Sequence, residues 1–291
     1  MERASPEASF LQNTPVWKLP HARAADTKTL SPCGRGSPEG RGEGDARRCR
    51  SEAHLLSRRR MSEKHTIAVL GGSGQEGGAL ALRWAAAGHR VIVGSRAAQK
   101  AAAAAEAMSR VLAQRGASAN VGGASNKDAA AAADIVILTV PYAAQRATVE
   151  EVRGALTGKI LVDATVPLVP PKVARVQLPA EGSAVAAMQK LLGADVRVVS
   201  AFQNVSAHHL RELDHEVDCD VLVCGDDVGA REIVVGLAAD IGLRALHAGP
   251  IANSAAAEAL TSILISINTR YKVPGAGIRI TGVPGRQTEK R

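Results

Sequence analysis

The run Thr66-Ile67-Ala68-Val69-Leu70 passes directly into Gly71-Gly72-Ser73-Gly74-Gln75-Glu76-Gly77. Uninterrupted apolar character predicts a strand covered on both faces, as in a parallel sheet. The segment Ala79 to Ala87 then reads as a helix. Between the two stands the spacing Gly72-x-Gly74-x-x-Gly77, and each glycine has a mechanical task. Gly72 permits the tight turn, Gly74 lets a pyrophosphate approach the backbone, and Gly77 lets helix and strand pack closely. The N–H groups and positive dipole end of the helix then face the phosphates. Strand, turn and helix in this order are the context that gives such a spacing meaning, and they point to a dinucleotide site.

The next apolar stretch, His89 to Gly94, ends in Ser95-Arg96, with Lys100 four residues beyond Arg96. A site for NAD usually has Asp or Glu about 20 residues past the glycines, to accept from the ribose hydroxyls. No carboxylate stands at this corner. A hydroxyl, a guanidinium and an ammonium suit a dianionic 2′-phosphate, with Arg96 able to bind it bidentately. The corner therefore favours NADP(H) over NAD(H).

Composition sets outer limits. Of 291 residues, 46% are hydrophobic and 22% charged, which is globular composition at a length that suits two modest domains. No apolar run approaches the roughly 18 residues needed to span a bilayer, so no membrane segment is expected. The formal charge of +8 is unevenly spread: residues 1–60 hold 12 basic and 7 acidic side chains, leaving 24 and 21 for the rest. The remainder is nearly balanced, and an aromatic content of 2% supplies few stacking platforms, so nucleic-acid binding is not indicated. Cys219 and Cys224 are five apart, which on a strand points the thiols to opposite faces. With Cys33 and Cys49 they form no zinc set. Reduced structural thiols in a cytoplasmic protein are the expectation, and no metal is.

Residues 1–60 contain a Gly/Pro/Arg mixture from Ser31 to Gly44 with almost nothing to bury, and are expected to be a disordered leader. Met61-Ser-Glu-Lys-His65 is a short polar lead into the first strand, and Met61 is read as the start of the native protein. From there strands and helices alternate, the pattern of an α/β doubly wound parallel sheet. Ala97 to Gln114 reads as a helix, and Asn120–Gly123, Asp134–Val140 and Lys159–Asp163 as strands. Ligands in such sheets lie beyond the carboxyl ends of the strands, which sets Thr139, Val140, Pro141 and Tyr142 beside the cofactor. Prolines between Ala164 and Pro171 forbid helix and predict a stiff loop at the nicotinamide end.

Val196–Ala201, Val221–Cys224 and Leu243–His247 read as further strands. Asp226-Asp227 should cap a helix running to about Asp240. Asn253 to Asn268 is a largely apolar helix in which Glu258 is the one charged residue, and it is expected to be buried all round at a domain or subunit interface. Arg279 to Arg291 reads as loose.

From Met61 to about Ile280 the chain resembles the NADPH-dependent coenzyme F420 reductases (F420:NADP oxidoreductases). The pieces that carry the resemblance are Val69-Leu-Gly-Gly-Ser-Gly74, Val93-Gly-Ser-Arg96 with Lys100, and Thr139-Val-Pro141. Val198-Val-Ser-Ala201, Val221-Leu-Val-Cys-Gly-Asp-Asp227 and Ala248-Gly-Pro-Ile-Ala-Asn-Ser254 complete them. The resemblance implies a Rossmann domain, residues 61–200, that holds NADP(H), and a smaller C-terminal domain, residues 201–291, on the deazaflavin side and in contact with a second copy of the chain. Ser73, Gly74, Gln75 and Glu76 would line the pyrophosphate and its neighbouring ribose. Ser95, Arg96 and Lys100 would take the 2′-phosphate. Tyr142 and Arg146 would lie along the cofactor edge beside Pro141, with Ala207 near the nicotinamide. Val205, Ala207, Gly249 and Ile251 would form the wall for F420, the co-substrate. Phe202-Gln-Asn-Val-Ser-Ala-His-His209 departs from the family pattern around the deazaflavin.

Reducing a carbonyl or imine needs a placed proton donor as well as a hydride. His208, His209, His215, His247 and Lys272 are the candidates in the second half, and none stands in a pattern that pairs it with an orienting acid. Hydride exchange between two cofactors asks the protein for stacking and distance, with no protein acid or base. That suits the F420 reading. The alternatives are an NADP-dependent dehydrogenase of the 6-phosphogluconate or pyrroline-carboxylate type, and a non-enzymatic NADP sensor.

Overall fold

The computed structural model describes residues 63–118 and 120–283. The expected leader, the start at Met61, and Cys33 and Cys49 lie outside the described residues. Among the described residues eight strands form one sheet in the order β3-β2-β1-β4-β5-β6-β7-β8. They are β1 (Thr66–Leu70), β2 (Arg90–Ser95), β3 (Val121–Ser125), β4 (Ile135–Leu138), β5 (Ile160–Asp163), β6 (Arg197–Ser200), β7 (Asp220–Gly225) and β8 (Arg244–His247). The first six run parallel, with Ile67 beside both Val91 and Ile135. β7 joins antiparallel to β6, and β8 parallel to β7. The strand order reverses between β1 and β4, which opens the crevice where ligands of doubly wound sheets bind.

Eight α-helices cover this sheet among the described residues: α1 (Gln75–Ala86), α2 (Ala98–Gln114), α3 (Asn126–Ala132), α4 (Tyr142–Val152), α5 (Ala184–Leu192), α6 (Ala207–Arg211), α7 (Val228–Asp240) and α8 (Ser254–Tyr271). Alternate strand residues feed two cores. Ile67 and Val69 pack with Leu80 and Trp84 of α1, Leu112 of α2, Leu210 of α6 and Leu237 of α7. Ala68 and Leu70 pack on the opposite face with Ala129 of α3, Val149 of α4 and Met188 of α5. Both faces are therefore apolar, which is why β1 and β4 read as uninterrupted apolar runs.

Most expected elements are found with shifted ends. The third strand lies at Val121–Ser125, two residues beyond its expected close, and the fourth stops at Leu138 because Thr139 and Val140 turn into the loop before α4. Of the two acids before α7 only Asp227 caps it, accepting from the Ala230 N–H at 2.6 Å. Asp226 accepts instead from the N–H of Ile251. Both thiols in the second half are free and buried, and burial pushes Cys224 up to about 11.

Two expectations need correction. Within the single chain α8 is not buried all round: Ile263 is 49% exposed, Ile267 36% and Tyr271 71%, forming one stripe at four-residue spacing. Its opposite face is held by Glu258, whose carboxylate accepts from Ser183 Oγ and from the N–H groups of Ala184 and Val185 at the start of α5. The other correction concerns the segment from Arg279, expected to be loose. Ile280 donates its N–H to Asp220 and accepts from Arg244, and Arg279 pairs with Asp218 at 2.9 Å. Residues 284–291 lie outside the described residues.

Candidate cofactor and hydride-transfer site

The β1–α1 turn is built as a cradle. Gly71 has φ +85°, a conformation that L side chains rarely adopt, and its N–H donates to Gly94 O across to β2. Gly72 donates to Val69 O, and Gly74 to Gly71 O at 2.8 Å. A Cβ on Gly77 would land on Thr139 Oγ1 and lie 2.8 Å from the Gly71 carbonyl oxygen. That close approach of α1 to the β4 end is what the third glycine permits. Gly74 is the N-cap of α1 and contributes no side-chain hydrogen bond. The first turn of α1 therefore keeps its N–H groups for an anion from outside the helix. A cradle that any Cβ would fill, at an uncapped helix N-terminus, fits a dinucleotide pyrophosphate.

Ser73, Gly74 and Gln75 are exposed on this turn, and an open cavity of about 470 Å³ runs from them along α1 and α2 to Met108, Val111 and Arg211. Glu76 differs. Its Oε1 is enclosed with no hydrogen-bond partner, and desolvation pushes the carboxyl up to about 8. At the β2 end Ser95 is half-buried, its Oγ accepting from the Ala97 N–H, while Arg96 and Lys100 are exposed on the lip of α2. The large cavity is bounded by the middle of α2 and does not extend to these two cations.

At the β4 end Thr139 Oγ1 donates to Leu70 O at 3.0 Å, tying the switch point together. Tyr142 and Arg146 of α4 line a cavity of about 220 Å³ with Glu181 and Met188. α4 is fixed from beneath, since Gln145 Nε2 donates to Asp163 Oδ2 at the end of β5 at 2.6 Å. Asp163 Oδ1 also accepts the Thr165 N–H, fixing the start of the proline loop. Burial raises this carboxyl despite those hydrogen bonds. Gln203 Nε2 donates to Asp163 O and to Ser200 Oγ, joining the loop after β6 to the same junction.

The β6–α6 loop carries Val205 and Ala207. Phe202 within it is fully buried with φ +76°, its ring edge-on to Trp84 of α1 at 5.7 Å. α6 is fastened to α1 by Arg83, a residue with no motif to announce it. Its guanidinium donates to the carbonyls of Leu210, Glu212 and His215 at 2.6–3.0 Å, and to those of His209 and Ile241. The phosphate helix and the Ala207 helix are thereby held as one piece. The four residues expected to form one deazaflavin wall are not brought together. Val205 belongs to the core on the α1 face, near Asp220, whose carbonyl accepts from Asn204. Gly249 accepts from Gly225 at the other end of β7, and Ile251 packs in the core on the opposite face of the sheet. The antiparallel turn of β7 carries them away.

None of the candidate histidines faces an orienting acid. His209 stacks on His215 at 4.7 Å and its Nε2 meets Gly275 O, while His208 and His247 are exposed. Among the described residues the histidine with a carboxylate partner is His89, fully buried at the opposite end of β2, with Nε2 2.9 Å from Asp240. It clips the sheet to α7, and no sequence pattern marked it.

Comparison with known proteins agrees with this geometry. Residues 66–167 match the family model described as NADP oxidoreductase coenzyme F420-dependent. The chain is 44% identical over 221 residues to the F420-dependent NADP reductase of Methanocaldococcus jannaschii, covering 75% of this chain and 98% of that protein. The chain belongs to the F420-dependent NADP reductase family. The enzyme of that name from Methanothermobacter thermautotrophicus is also 44% identical, over 75% of this chain and 95% of its own length. A crystal structure of a candidate F420-dependent NADP-reductase from Arthrobacter sp. FB24 superposes with a TM-score of 0.62 at 27% identity, covering 75% of this chain and 99% of that one. The Rossmann-like sheet expected from the glycine turn is thus the fold of this family. Among the described residues no helix is long and apolar enough to cross a membrane.

Proposed function

We propose that the protein exchanges a hydride directly between NADP(H) and coenzyme F420: NADPH, F420 and a proton are converted to NADP+ and reduced F420, or the reverse. The observation that carries this reading is 44% identity across 98% of a relative named for that reaction. The glycine cradle supports the NADP(H) half. Residues 61–200 hold NADP(H), and residues 201–291 supply the deazaflavin side. Gly72 to Gly77 receive the pyrophosphate, and Pro141, Tyr142 and Arg146 border the nicotinamide half. Val205 and Ala207 face the deazaflavin, whereas Gly249 and Ile251 support the start of α8. No side chain is required to donate a proton to the transferring carbons, since the two rings carry the chemistry and the protein supplies distance. Dehydrogenases of the hydroxyacid or imine type and a silent NADP sensor are not favoured by the relatives. The test is to mix the purified protein with NADPH and F420 and follow loss of the oxidised deazaflavin absorbance. Absence of turnover in both directions would refute the reading.

Ser95, Arg96 and Lys100 receive the 2′-phosphate in this reading. Arg96→Ala removes a charge-assisted hydrogen bond, a loss of about 1.5–3 kcal/mol, or roughly 10- to 150-fold in affinity. The loss should fall on NADPH and leave the weaker binding of NADH unchanged, measured by titration with each nucleotide. Equal weakening of both would mean that Arg96 supports the loop and does not read the phosphate.

The protein acts as a cytoplasmic homodimer in this proposal, with the Ile263, Ile267 and Tyr271 stripe of α8 as the contact. An apolar stripe on an otherwise polar helix face marks an interaction surface. Ile263→Arg should convert the species seen by analytical ultracentrifugation from dimer to monomer. A parent that sediments as a monomer would remove this part of the proposal.

A further inference from the structure

Glu76 is the one ionisable side chain within the Gly72–Gly77 turn. It is the second residue of α1, next to the uncapped Gly74 N-terminus. A carboxylate there would enjoy the positive end of the helix. Its Oε1, however, is enclosed and accepts no hydrogen bond, so half of an ionised carboxylate would go uncompensated. The side chain also lies on a particular face. Seven residues separate it from Arg83, two turns along the helix and about 20° around it. Arg83 reaches the carbonyls that follow Ala207, so helix geometry sets Glu76 on the side of α1 that faces α6.

No charge from a neighbouring element answers it. α1 packs on β1, β2, α2 and α6. β1 carries no ionisable residue, and Arg90 stands at the far end of β2. α2 offers Lys100, Glu106 and Arg110, of which Glu106 and Arg110 pair with each other. α6 and the turn after it offer His208, His209, Arg211, Glu212, Asp214 and His215; Asp214 is paired with Arg115. Arg83, on α1 itself, is spent on carbonyls. Burial is the sole cause of the upward shift of Glu76.

Resting on the NADP(H) reading above, we propose that Glu76 must carry its proton for NADP(H) to bind, so that one helix N-terminus serves either a Glu76 carboxylate or the pyrophosphate but not both. The neutral carboxyl leaves the dipole end and the first-turn N–H groups to the phosphates. The carboxylate, half-buried with one oxygen enclosed, competes for them and adds repulsion against the phosphates. A free-protein value of about 8 puts this exchange within reach of a mildly alkaline cytoplasm. The sign follows from linkage. The bound form holds the proton more tightly than the free form, so binding takes up a proton above pH 8 and affinity falls as pH rises. Below pH 8 the group is already protonated and affinity is flat.

The experiment is a titration of NADPH into the full chain at pH 7 and pH 9, with binding enthalpies taken in two buffers of different ionisation heat. This window lies above the second ionisation of a phosphomonoester near pH 6 and below that of lysine near 10.4. The parent should bind about tenfold more weakly at pH 9 than at pH 7, and take up nearly one proton on binding at pH 9. Glu76→Gln, neutral throughout and still able to donate, should bind equally at both pH values with no proton uptake assigned to this site. Binding of F420 alone should show no such dependence in either protein. A parent with the same affinity at both pH values, or a Gln variant that weakens as the parent does, overturns the inference while leaving the NADP(H) reading intact. If neither protein binds NADPH at pH 7, the functional reading falls and this inference falls with it.

Discussion

Replacing Gly77 by alanine is expected to weaken NADPH binding by up to about a hundredfold and to lower thermal stability at the same time. The new Cβ has nowhere to go, since it meets Thr139 Oγ1 and the Gly71 carbonyl, and both are already engaged. Thr139 would have to release Leu70 O, or α1 would have to slide away from the β4 end. Overpacking of this kind costs about 1–3 kcal/mol, and its upper range corresponds to roughly a hundredfold in an equilibrium constant. Gly74→Ala makes the companion measurement. Its Cβ would meet one atom, Gly71 O at 3.1 Å, and its φ of −81° is open to alanine. That variant should keep most of its stability yet lose NADPH, because the methyl group occupies the space through which a pyrophosphate reaches the turn. Calorimetry with and without NADPH separates the two effects. A Gly77→Ala protein that melts and binds like the parent would show that the turn does not need that close approach.

The parts of this molecule that were legible in the sequence are those where one local requirement fixes the residue type. Gly72 and Gly77 are bound to the turn by steric need, and β1 and β4 are apolar because both faces are covered. What escaped depends on partners far away in the chain. Arg83 belongs to no motif, yet it binds carbonyls more than a hundred residues distant. Glu258 stands in the sequence as the one charge of an apolar helix, and it accepts from the first N–H groups of α5. The reversal of β7 is not written in its alternation of residues, and it is what separates Gly249 and Ile251 from Val205. The stripe on α8 is exposed within one chain, and an apolar residue that faces outward looks in sequence like one that faces the core.

The Arg83 fastening also decides what should happen when the corner it holds is enlarged. Ala207→Leu is expected to reduce the rate of hydride exchange by several orders of magnitude while NADPH still binds. Transfer needs the reacting carbons within about 3–3.5 Å, and a displacement near 1 Å costs about a hundredfold. Ala207 is the first residue of α6, half-buried, and α6 cannot retreat because Arg83 ties its last carbonyls to the helix that holds the pyrophosphate. Three added carbons therefore intrude on the rings and do not push the helix back. His208→Gln and His247→Gln should cost little, since both side chains are exposed and no hydrogen bond in the structure orients them toward the corner. The measurement is transfer of deuterium from the labelled position of NADPH to the deazaflavin carbon, followed for the parent and each variant. Quantitative arrival of the label in reduced F420, with slow transfer in Ala207→Leu alone, is the expected result. Label lost to solvent would mean that the hydrogen passes through an exchangeable group on the protein. A histidine variant that loses activity while Ala207→Leu keeps it would move the proton-handling burden from the two rings to that side chain, and direct transfer would have to be given up.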